Sequence, residues 1–505
     1  MLAQTSPAII KVDSSYIFLT LGSFFVLYCV AYISYYRYIH PLSRYPGPFV
    51  ASFTNFWKVY QLWTSHLPDN LIKVHQKYGS VVRVGPNDLS FNSAEAVTQI
   101  YKAGRDMPKT GFYEGFTTFN PNLFGTRDED IHAIRRRQLA HGFSMQSVKD
   151  MEEYIDRHIE KLLEVLEGQA KTGEAFDLKE FFAFYMLDVL GDLAFSQSFN
   201  AQVDQKPEKL PPINDHVFLA CLMGMMPEML PYLRAAAAWT PLPWLRRLFR
   251  ARAQLKSLTA QCVRRRLDEK VNGRKDLLTS LINAVDPVTG AKLTEIDINT
   301  EAFAMIVAGA HTTAGTLTLL FARLLQNSEI LDNVVAEIDS NIVAVPGQAI
   351  GISGLEQRIP YSTACINESF RINSVFTMTL PRSVTSPTGA EIDGHWVPKD
   401  TAVFSLNHVV HHNPALWGAD TFKFDPSRFL GPEKEDSKRR LGPFGVGHRM
   451  CIGRNMAMTS ILKVLTTLLK NYQLEMVDPK QKIVTANVGI SEMEGPLMCL
   501  ANKRH

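Results

Sequence analysis

The segment that decides the fold is "LGPFGVGHRMCIGRN", residues 441–455, which surrounds one of only six cysteines with four glycines. Gly445 and Gly447 permit tight turns and a close approach of the backbone to a flat partner. Gly453 leaves room directly after Cys451. A cysteine in ordinary core packing needs no such glycines, so the segment predicts that Cys451 lies beside a flat group.

The residues next to Cys451 suit a charged sulfur. An apolar, helix-like run begins near Arg454, and the positive end of a helix favours a thiolate. Arg449 stands two residues before the cysteine, where it can pair with an anionic group. The combination indicates a thiolate bonded to a metal in a flat cofactor, namely haem iron.

The same segment resembles the haem-binding signature of the cytochrome P450 family, FxxGxRxCxG, at every fixed position. Those positions are Phe444, Gly447, Arg449, Cys451 and Gly453. The resemblance implies haem b with its iron ligated by the Cys451 thiolate, and it implies that the other four residues surround the cofactor.

Two further segments, "NESFR" and "FDPSRF", carry charged residues that the family uses structurally. Glu368 and Arg371 share a helical face at i, i+3, which alone is a common surface ion pair. Arg428 lies at the expected distance downstream, although the usual Pro–Glu of that segment is Pro426–Ser427 here. The resemblance implies a structural lock of Glu368, Arg371 and Arg428 behind the haem.

Three more side chains are candidates for holding haem propionates. His132 and Arg136 stand at i, i+4 in "EDIHAIRRRQLAHGFS", a spacing also found on exposed amphipathic helices. His132 occupies a place where the family often has tryptophan. Arg382 in "TLPRSV" resembles a further propionate partner.

Residues 294–326 form a long apolar run with small residues at its centre. The run resembles the oxygen-binding helix of the family, A/G-G-x-D/E-T, with Ala308, Gly309 and Thr312 matching. The resemblance implies that Thr312 hydrogen-bonds oxygen at the haem and helps to deliver protons. The acidic position is His311 instead, and an imidazole is able to relay protons near neutral pH. Thr312 and His311 are therefore the candidate catalytic residues.

The N-terminus predicts a membrane anchor. Residues 16–36 carry no charge, and as a helix they span about 31 Å, enough for a bilayer core. A cleaved signal peptide is the alternative, but the run is longer than the apolar region of a typical signal peptide. We expect a lumenal N-terminus at 1–15, the anchor at 16–36, a proline-rich hinge at 37–50 and a haem-thiolate catalytic domain at 51–505.

Composition narrows the class of protein. A net charge of +3 over 505 residues gives no reason to expect nucleic-acid binding. The arginine triplets 135–137 and 264–266 are expected to be solvated helix faces. Scattered cysteines indicate reduced thiols in a cytosol-facing protein.

The chain has no Walker A loop and no GxGxxG after a strand, so nothing in it indicates binding of a nucleotide or flavin. The electrons must therefore come from another protein.

The predicted fold class is mainly α (α+β): a cytochrome P450 fold with a small β region, preceded by a single transmembrane helix. Helical periodicity dominates residues 129–340, and "SVVRVGPNDLSFNS" (80–93) predicts two short strands. "TGAEIDGHWVP" (388–398) predicts a hairpin. The apolar segment 217–249, broken by prolines, is either core or a membrane-dipping flap that admits substrate.

The resemblance implies a monooxygenase that acts on an apolar small molecule with O2. Its electrons would come from an NADPH–cytochrome P450 reductase, with cytochrome b5 as a further candidate donor. "HPLSRYPGP" and "LGDLAFSQSF" resemble microsomal enzymes of filamentous fungi. That likeness implies an endoplasmic reticulum membrane, a cytosolic catalytic domain and a terpenoid, polyketide or peptide-derived metabolite as substrate. The cavity walls are expected at 303–307, at 107–124 and after Arg371.

Other functions remain open. The same haem site could serve rearrangement, dehydration or peroxide chemistry, and dependence on NADPH and reductase distinguishes this from monooxygenation. A non-enzymatic haem sensor or electron carrier and a cofactor-free membrane protein are further alternatives. His408, His411 and His412 have metal-like spacing, but without a cysteine or acid at zinc spacing we expect a structural loop there.

Overall fold

The computed structural model describes residues 14–102, 106–236, 240–268, 274 and 276–504. Most of these residues are helical. The helices are α1 Ser14–Ser34, α2 Phe56–Trp63, α3 Leu67–Tyr78, α4 Ala94–Lys102, α5 Glu129–Ala140, α6 Met145–Asp150, α7 Glu152–Thr172, α8 Leu178–Phe195, α9 Ala201–Asp204, α10 Ile213–Gly224, α11 Leu230–Ala236, α12 Pro243–Asp268, α13 Leu277–Ile282, α14 Glu295–Leu325, α15 Ser328–Asn341, α16 Leu355–Arg358, α17 Pro360–Ile372, α18 Asn407–His411, α19 Pro414–Trp417, α20 Lys434–Arg440 and α21 Arg454–Asn471.

The strands are short and form small sheets beside the helices. They are β1 Val81–Gly85, β2 Asp88–Phe91, β3 Phe176–Asp177, β4 Arg382–Ser383, β5 Ala390–Ile392, β6 His395–Val397, β7 Ala402–Phe404, β8 Tyr472–Met476, β9 Thr485–Asn487, β10 Ser491–Met493 and β11 Met498–Lys503. One sheet has the order β1-β2-β7-β4, and another has the order β3-β11-β8. The strands predicted at 80–93 are β1 and β2, and the hairpin predicted at 388–398 is β5–β6, so both predictions are confirmed.

The long helix α14 runs through the centre of the fold. Its N-terminus is fixed by a capping box, in which the Thr294 hydroxyl and the Asp297 carboxylate each accept a backbone N–H. The helix packs against α8, α12, α17 and α21. At Gly309 it comes so close to α8 that an added Cβ would lie 3.0 Å from Leu190 Cδ1. The small residues at its centre therefore permit close helix packing.

The N-terminal helix is exposed and apolar. Residues Phe18–Ile39 are a candidate membrane span with a mean hydropathy of 1.7, and none of that window is buried in the protein. Helix α14 also meets the length and hydropathy criteria, but 61% of its window is buried, so it is a core helix. Helix α10 and the segment Pro227–Ala235 meet the same criteria only when they are taken together, and the pair is bent by 99°.

The segment after α1 folds back onto the small β region. Leu42 is fully buried, and the Tyr45 hydroxyl donates a hydrogen bond to the Trp396 carbonyl oxygen at 2.5 Å. Arg83 Nη1 on β1 donates to the Tyr36 carbonyl oxygen at 2.7 Å. These contacts fix the direction in which α1 leaves the body.

The arginine triplet on α5 does not form a solvated face, so that prediction is wrong. Arg135 Nη2 lies 2.8 Å from Asp297 Oδ1 on α14, and Arg137 Nε lies 2.6 Å from Asp286 Oδ1. The charges pair across elements because the first turn of α14 carries Asp297 and the loop before it carries Asp286, and both lie against α5. Arg135 thereby fastens α5 to the central helix, and Arg137 fastens it to the loop before that helix.

The apolar segment 217–249 has two different halves. Helix α10 is buried along most of its length, which agrees with a core role. Beyond it, Met229, Tyr232 and Leu242 are exposed, and Tyr232 reaches 70% exposure. The second half therefore presents apolar side chains outward.

Candidate active site

A largely apolar cavity lies between α14 and the loop that precedes α21. Its volume is about 410 Å³. The three wall segments expected from the sequence all contribute to it. They supply Phe303, Met305 and Val307 from α14, Phe116, Leu123 and Phe124 from the 107–124 loop, and Val375, Phe376 and Met378 after Arg371.

The loop around Cys451 is shaped by two glycines in the left-handed region. Gly445 has φ of 73° and Gly447 has φ of 75°. An added Cβ at Gly447 would lie 2.5 Å from the Tyr101 carbonyl oxygen, so backbone conformation and space both require glycine there. The Cys451 N–H donates to the Phe444 carbonyl oxygen at 2.8 Å, which closes the loop.

The Cys451 thiol is accessible, and it faces the cavity. Since that cavity is enclosed in the protein, burial raises the pKa of the thiol. A hydrogen bond from the Gly453 backbone and the charge of Arg136 lower the pKa, but burial outweighs them. The surroundings alone therefore favour the neutral thiol, in contrast to the thiolate expected from sequence.

Arg449 is buried at the edge of the cavity and only partly satisfied. Its Nη1 donates to the Thr126 carbonyl oxygen at 2.8 Å, and its Nη2 lies 2.8 Å from Glu129 Oε1. Its Nε is buried and has no hydrogen-bond partner among the described residues. His448 Nε2 also lies 2.8 Å from Glu129 Oε2, so this one carboxylate serves two basic side chains.

Two more cations are buried near Arg449, and the sequence analysis identified only one of them. Arg382 on β4 is 5% exposed, and its Nε has no hydrogen-bond partner among the described residues. Lys109, the residue that was missed, is 5% exposed, and its Nζ lies 4.5 Å from the centre of the Tyr113 ring. Burial, together with Arg449 and Arg382, holds the pKa of Lys109 well below its usual value. The sequence did offer a signal for Lys109, because this charged residue stands in the loop 107–124 that was predicted to line the cavity.

His132 and Arg136 both line the cavity, but they present different groups to it. Burial, Arg449 and neighbouring cations lower the pKa of His132 to about 2, so it is a neutral imidazole. Arg136 Nη1 donates to the Met450 carbonyl oxygen at 2.7 Å and so holds the loop of Cys451.

The buried donor set fits a flat dianionic cofactor with a metal centre. Arg382 and Arg449 supply two buried guanidinium groups, Lys109 adds a buried amine, and Glu129 is the carboxylate paired directly with Arg449. Buried cations are costly unless they are paired with anions. The unpartnered Nε atoms of Arg382 and Arg449 suit the two propionates of a haem, and the accessible sulfur of Cys451 suits its iron.

The opposite wall of the cavity is α14. Thr312 lines the cavity, and its hydroxyl donates to the Ala308 carbonyl oxygen at 2.6 Å, one turn earlier. His311 is not among the residues that line the cavity. Its Nε2 lies 3.7 Å from Glu492 Oε2 on β10. Consecutive helix positions point in different directions, so the two candidate catalytic residues face different surroundings.

The three residues predicted to form a structural lock are together in the core. Arg371 Nε and Nη2 each lie 2.7 Å from an oxygen of Glu368, and both side chains are fully buried. Arg371 Nη1 also donates to the carbonyl oxygens of His411 at 2.9 Å and Thr421 at 2.7 Å. Arg428 Nε lies 3.6 Å from Glu368 Oε1. The cluster joins α17 to the chain that leads toward Cys451.

The three histidines at 408–412 have separate partners. His408 Nε2 lies 3.4 Å from Asp69, and His411 Nδ1 lies 3.0 Å from the Ser374 hydroxyl. His412 Nδ1 donates to the His408 carbonyl oxygen at 2.8 Å. These contacts agree with the structural loop expected from sequence.

Comparison with known proteins gives the same assignment as the cysteine loop and its cations. The cytochrome P450 family model matches residues 46–499. The chain belongs to the cytochrome P450 family. Such enzymes are monooxygenases, and the family implies a haem-thiolate iron cofactor, a redox partner and a small-molecule substrate.

Similar curated P450s come from filamentous fungi. The chain is 30% identical to cytochrome P450 monooxygenase cpaH of Aspergillus oryzae, over 90% of this chain and 88% of that protein. It is 30% identical to cytochrome P450 monooxygenase gsfF of Penicillium aethiopicum, over 93% and 95% respectively. It is 29% identical to benzoate 4-monooxygenase bphA of Aspergillus niger, over 86% and 88% respectively.

Proposed function

We propose that this P450 is a haem-thiolate monooxygenase that inserts one oxygen atom from O2 into an apolar small molecule. The observation that carries the proposal is that the accessible thiol of Cys451 lies in the wall of the same apolar cavity as Thr312. The cofactor would be haem b, and Cys451 Sγ would hold its iron. Bonding to iron deprotonates a thiol, which overcomes the effect of burial on its pKa.

The buried cations would hold the haem carboxylates. Arg382 Nε and Arg449 Nε are donors without partners among the described residues, and Lys109 adds a third basic side chain that an anionic carboxylate beside it would hold in its charged form. His132 is neutral, so it offers a hydrogen bond rather than a charge. Glu129 orients Arg449 from the other side. When bound, the haem supplies the metal centre that activates oxygen.

Thr312 would position a proton donor at the cavity. Its hydroxyl donates its hydrogen to the Ala308 carbonyl oxygen, which leaves the oxygen lone pairs available. A donor in the cavity, such as water, can therefore bond to Thr312 Oγ1. The apolar lining keeps other water away, so proton delivery is restricted to this point.

The substrate class is an apolar fungal metabolite of the terpenoid, polyketide or peptide-derived type. The apolar wall supports this, and so do the similar P450s from Aspergillus and Penicillium. Electrons would come from NADPH–cytochrome P450 reductase, with cytochrome b5 as a second donor. The enzyme would lie in the endoplasmic reticulum membrane through the Phe18–Ile39 span, with its catalytic domain in the cytosol. Arg37 at the C-terminal end of the span and Arg44 after it agree with that orientation.

The haem assignment is tested by the difference spectrum of reduced protein with carbon monoxide. We expect the red-shifted Soret band of a thiolate-ligated haem in the wild-type protein. Cys451→Ser should lose this band because an alcohol does not replace the thiolate ligand. Cys262→Ser, on α12 and outside the cavity lining, is the matched control and should keep the band. A red-shifted band in Cys451→Ser would contradict the ligand assignment.

Reaction type is tested by reconstitution with NADPH–cytochrome P450 reductase and apolar fungal metabolites. Labelled O2 should place one labelled oxygen atom in the product, and product formation should require NADPH. The replacement of the usual acid by His311 keeps rearrangement, dehydration or peroxide chemistry as the second candidate. Product formation without NADPH would favour that candidate instead.

A further inference from the structure

His311 lies in a small polar cluster built from four elements. Its Nε2 is buried without a hydrogen-bond partner, 3.7 Å from Glu492 Oε2 on β10. Lys179 Nζ on α8 lies 2.7 Å from the other Glu492 oxygen. The Asn214 amide on α10 donates to Glu492 Oε2. Among the described residues, the carboxylate that faces His311 is therefore supplied by a distant strand.

We propose that Glu492 is the acid partner of His311, and that this pair is the point at which protons enter toward Thr312. The inference rests on the proposed monooxygenase function. The acid that is missing from α14 at position 311 is supplied through space by β10. Glu492 acts through the imidazole and is a positioning residue.

The location of the pair suits proton entry. Glu492 and Lys179 retain 27% and 24% side-chain exposure, whereas His311 retains 18%. On the inner side, Ile490 near the start of β10 and Thr312 next to His311 both line the cavity. The cluster therefore lies between partly exposed charges and the cavity wall.

The charges around His311 shift its pKa in opposite directions. Burial lowers the pKa of His311, Glu492 raises it, and Lys179 lowers it. Asn214 is neutral and orients the Glu492 carboxylate. A proton that arrives past the partly exposed Glu492 and binds at the buried Nε2 gives an imidazolium that Glu492 stabilises. The ring then releases its Nδ1 proton to a water molecule on the Thr312 side of α14, which leaves a neutral imidazole that carries the new proton on Nε2.

Two variants should shift the pH profile of product formed per NADPH consumed in opposite directions. Glu492→Gln keeps the size and shape of the side chain and its contact with Asn214. It removes the negative charge beside the imidazole, so the pKa of His311 falls. The profile should move to lower pH, with roughly a tenfold loss of coupling near pH 7.5 if the shift is about one unit. Lys179→Met should move the profile to higher pH, because a positive charge near the imidazole is removed.

Control variants separate the effect of Glu492 on His311 from a general disturbance of the local structure. Glu494→Gln changes an exposed carboxylate two residues away and should leave the profile unchanged. In a His311→Asn background, Glu492→Gln should cause no additional shift. His311→Asp combined with Glu492→Gln returns a carboxylate to α14 and should restore coupling.

Thermal unfolding of the purified ferric protein provides a readout besides activity. A histidine with a lowered folded pKa costs stability as pH falls below its unfolded value of about 6.5. Glu492→Gln should deepen that loss between pH 5 and 6.5, and Lys179→Met should reduce it. The effect of Glu492→Gln over this pH interval should vanish in His311→Asn.

The outcomes distinguish this inference from the proposed function. Absence of NADPH-dependent product in the wild-type enzyme would contradict the monooxygenase proposal and proton entry with it. In a productive wild-type enzyme, a pH profile that Glu492→Gln leaves unmoved, or that both variants move in the same direction, would contradict this inference alone. A thermal effect of Glu492→Gln that persists in His311→Asn would show that the two residues are not paired.

Discussion

At the scale of single residues, the cavity wall contains a carboxyl group with unusual protonation. Glu301 on α14 is 2% exposed, and both its oxygens accept from the Leu123 N–H, at 3.0 and 3.2 Å. Arg135 Nε lies 3.6 Å from Glu301 Oε1. Burial raises the pKa of Glu301 to about 7 despite that arginine. The side chain ties the central helix to the loop over the cavity.

Glu301→Gln should change how stability depends on pH. The raised pKa means that wild-type stability falls as pH rises from about 4.5 to about 7, by up to about 3 kcal/mol. Gln does not ionise, so the variant should melt higher relative to wild type at pH 8 than at pH 5. Thermal unfolding across this range measures the difference. Glu295→Gln, at an exposed position on the same helix, should show no such trend.

At the scale of elements, the cysteine loop depends on how closely it approaches α4. Gly445 and Gly447 have the same left-handed backbone, but their surroundings differ. An added Cβ at Gly447 would meet the Tyr101 carbonyl oxygen at 2.5 Å, whereas at Gly445 the nearest atom is 4.0 Å away. Conformation and close contact are therefore separable in this loop.

Gly445→Ala and Gly447→Ala form a matched pair. Each should cost about 1–2 kcal/mol for the left-handed conformation. Gly447→Ala should cost more, because the clash with backbone displaces the loop from α4 and moves Cys451. The ratio of haem to protein, and chemical unfolding, measure both effects. Equal losses in the two variants would show that close approach to α4 is unimportant.

At the scale of the whole molecule, buried charges connect parts of the chain that lie far apart in sequence. The lock of Glu368, Arg371 and Arg428 joins α17 to backbone between residues 411 and 428. The pair of Glu368 and Arg371 is fully buried, so neither charge has water as a substitute partner. Loss of this pair should lower the global stability. It should also shift the position of Cys451, because the segment that the lock holds leads into the cysteine loop.

Arg371→Met should destabilise the protein by about 3–5 kcal/mol, because it leaves the Glu368 carboxylate buried and unpaired. The double variant Glu368→Leu/Arg371→Met should recover part of that loss. The free energy of unfolding measures both. Arg439→Met breaks an exposed pair with Asp436 and should cost about 0–1 kcal/mol. A double variant no more stable than Arg371→Met would contradict the unpaired-charge explanation.

The sequence by itself determined the features that depend on neighbouring residues. The signature around Cys451, the hairpin at 388–398 and the extent of α14 were readable because turns, caps and periodicity are local. Only the tertiary structure decided where individual charges point. It placed Lys109 among the buried cations, turned His311 toward Glu492, and paired Arg135 and Arg137 with carboxylates on other elements. Such pairings follow from the packing of distant segments, and in sequence a buried cation looks the same as an exposed one.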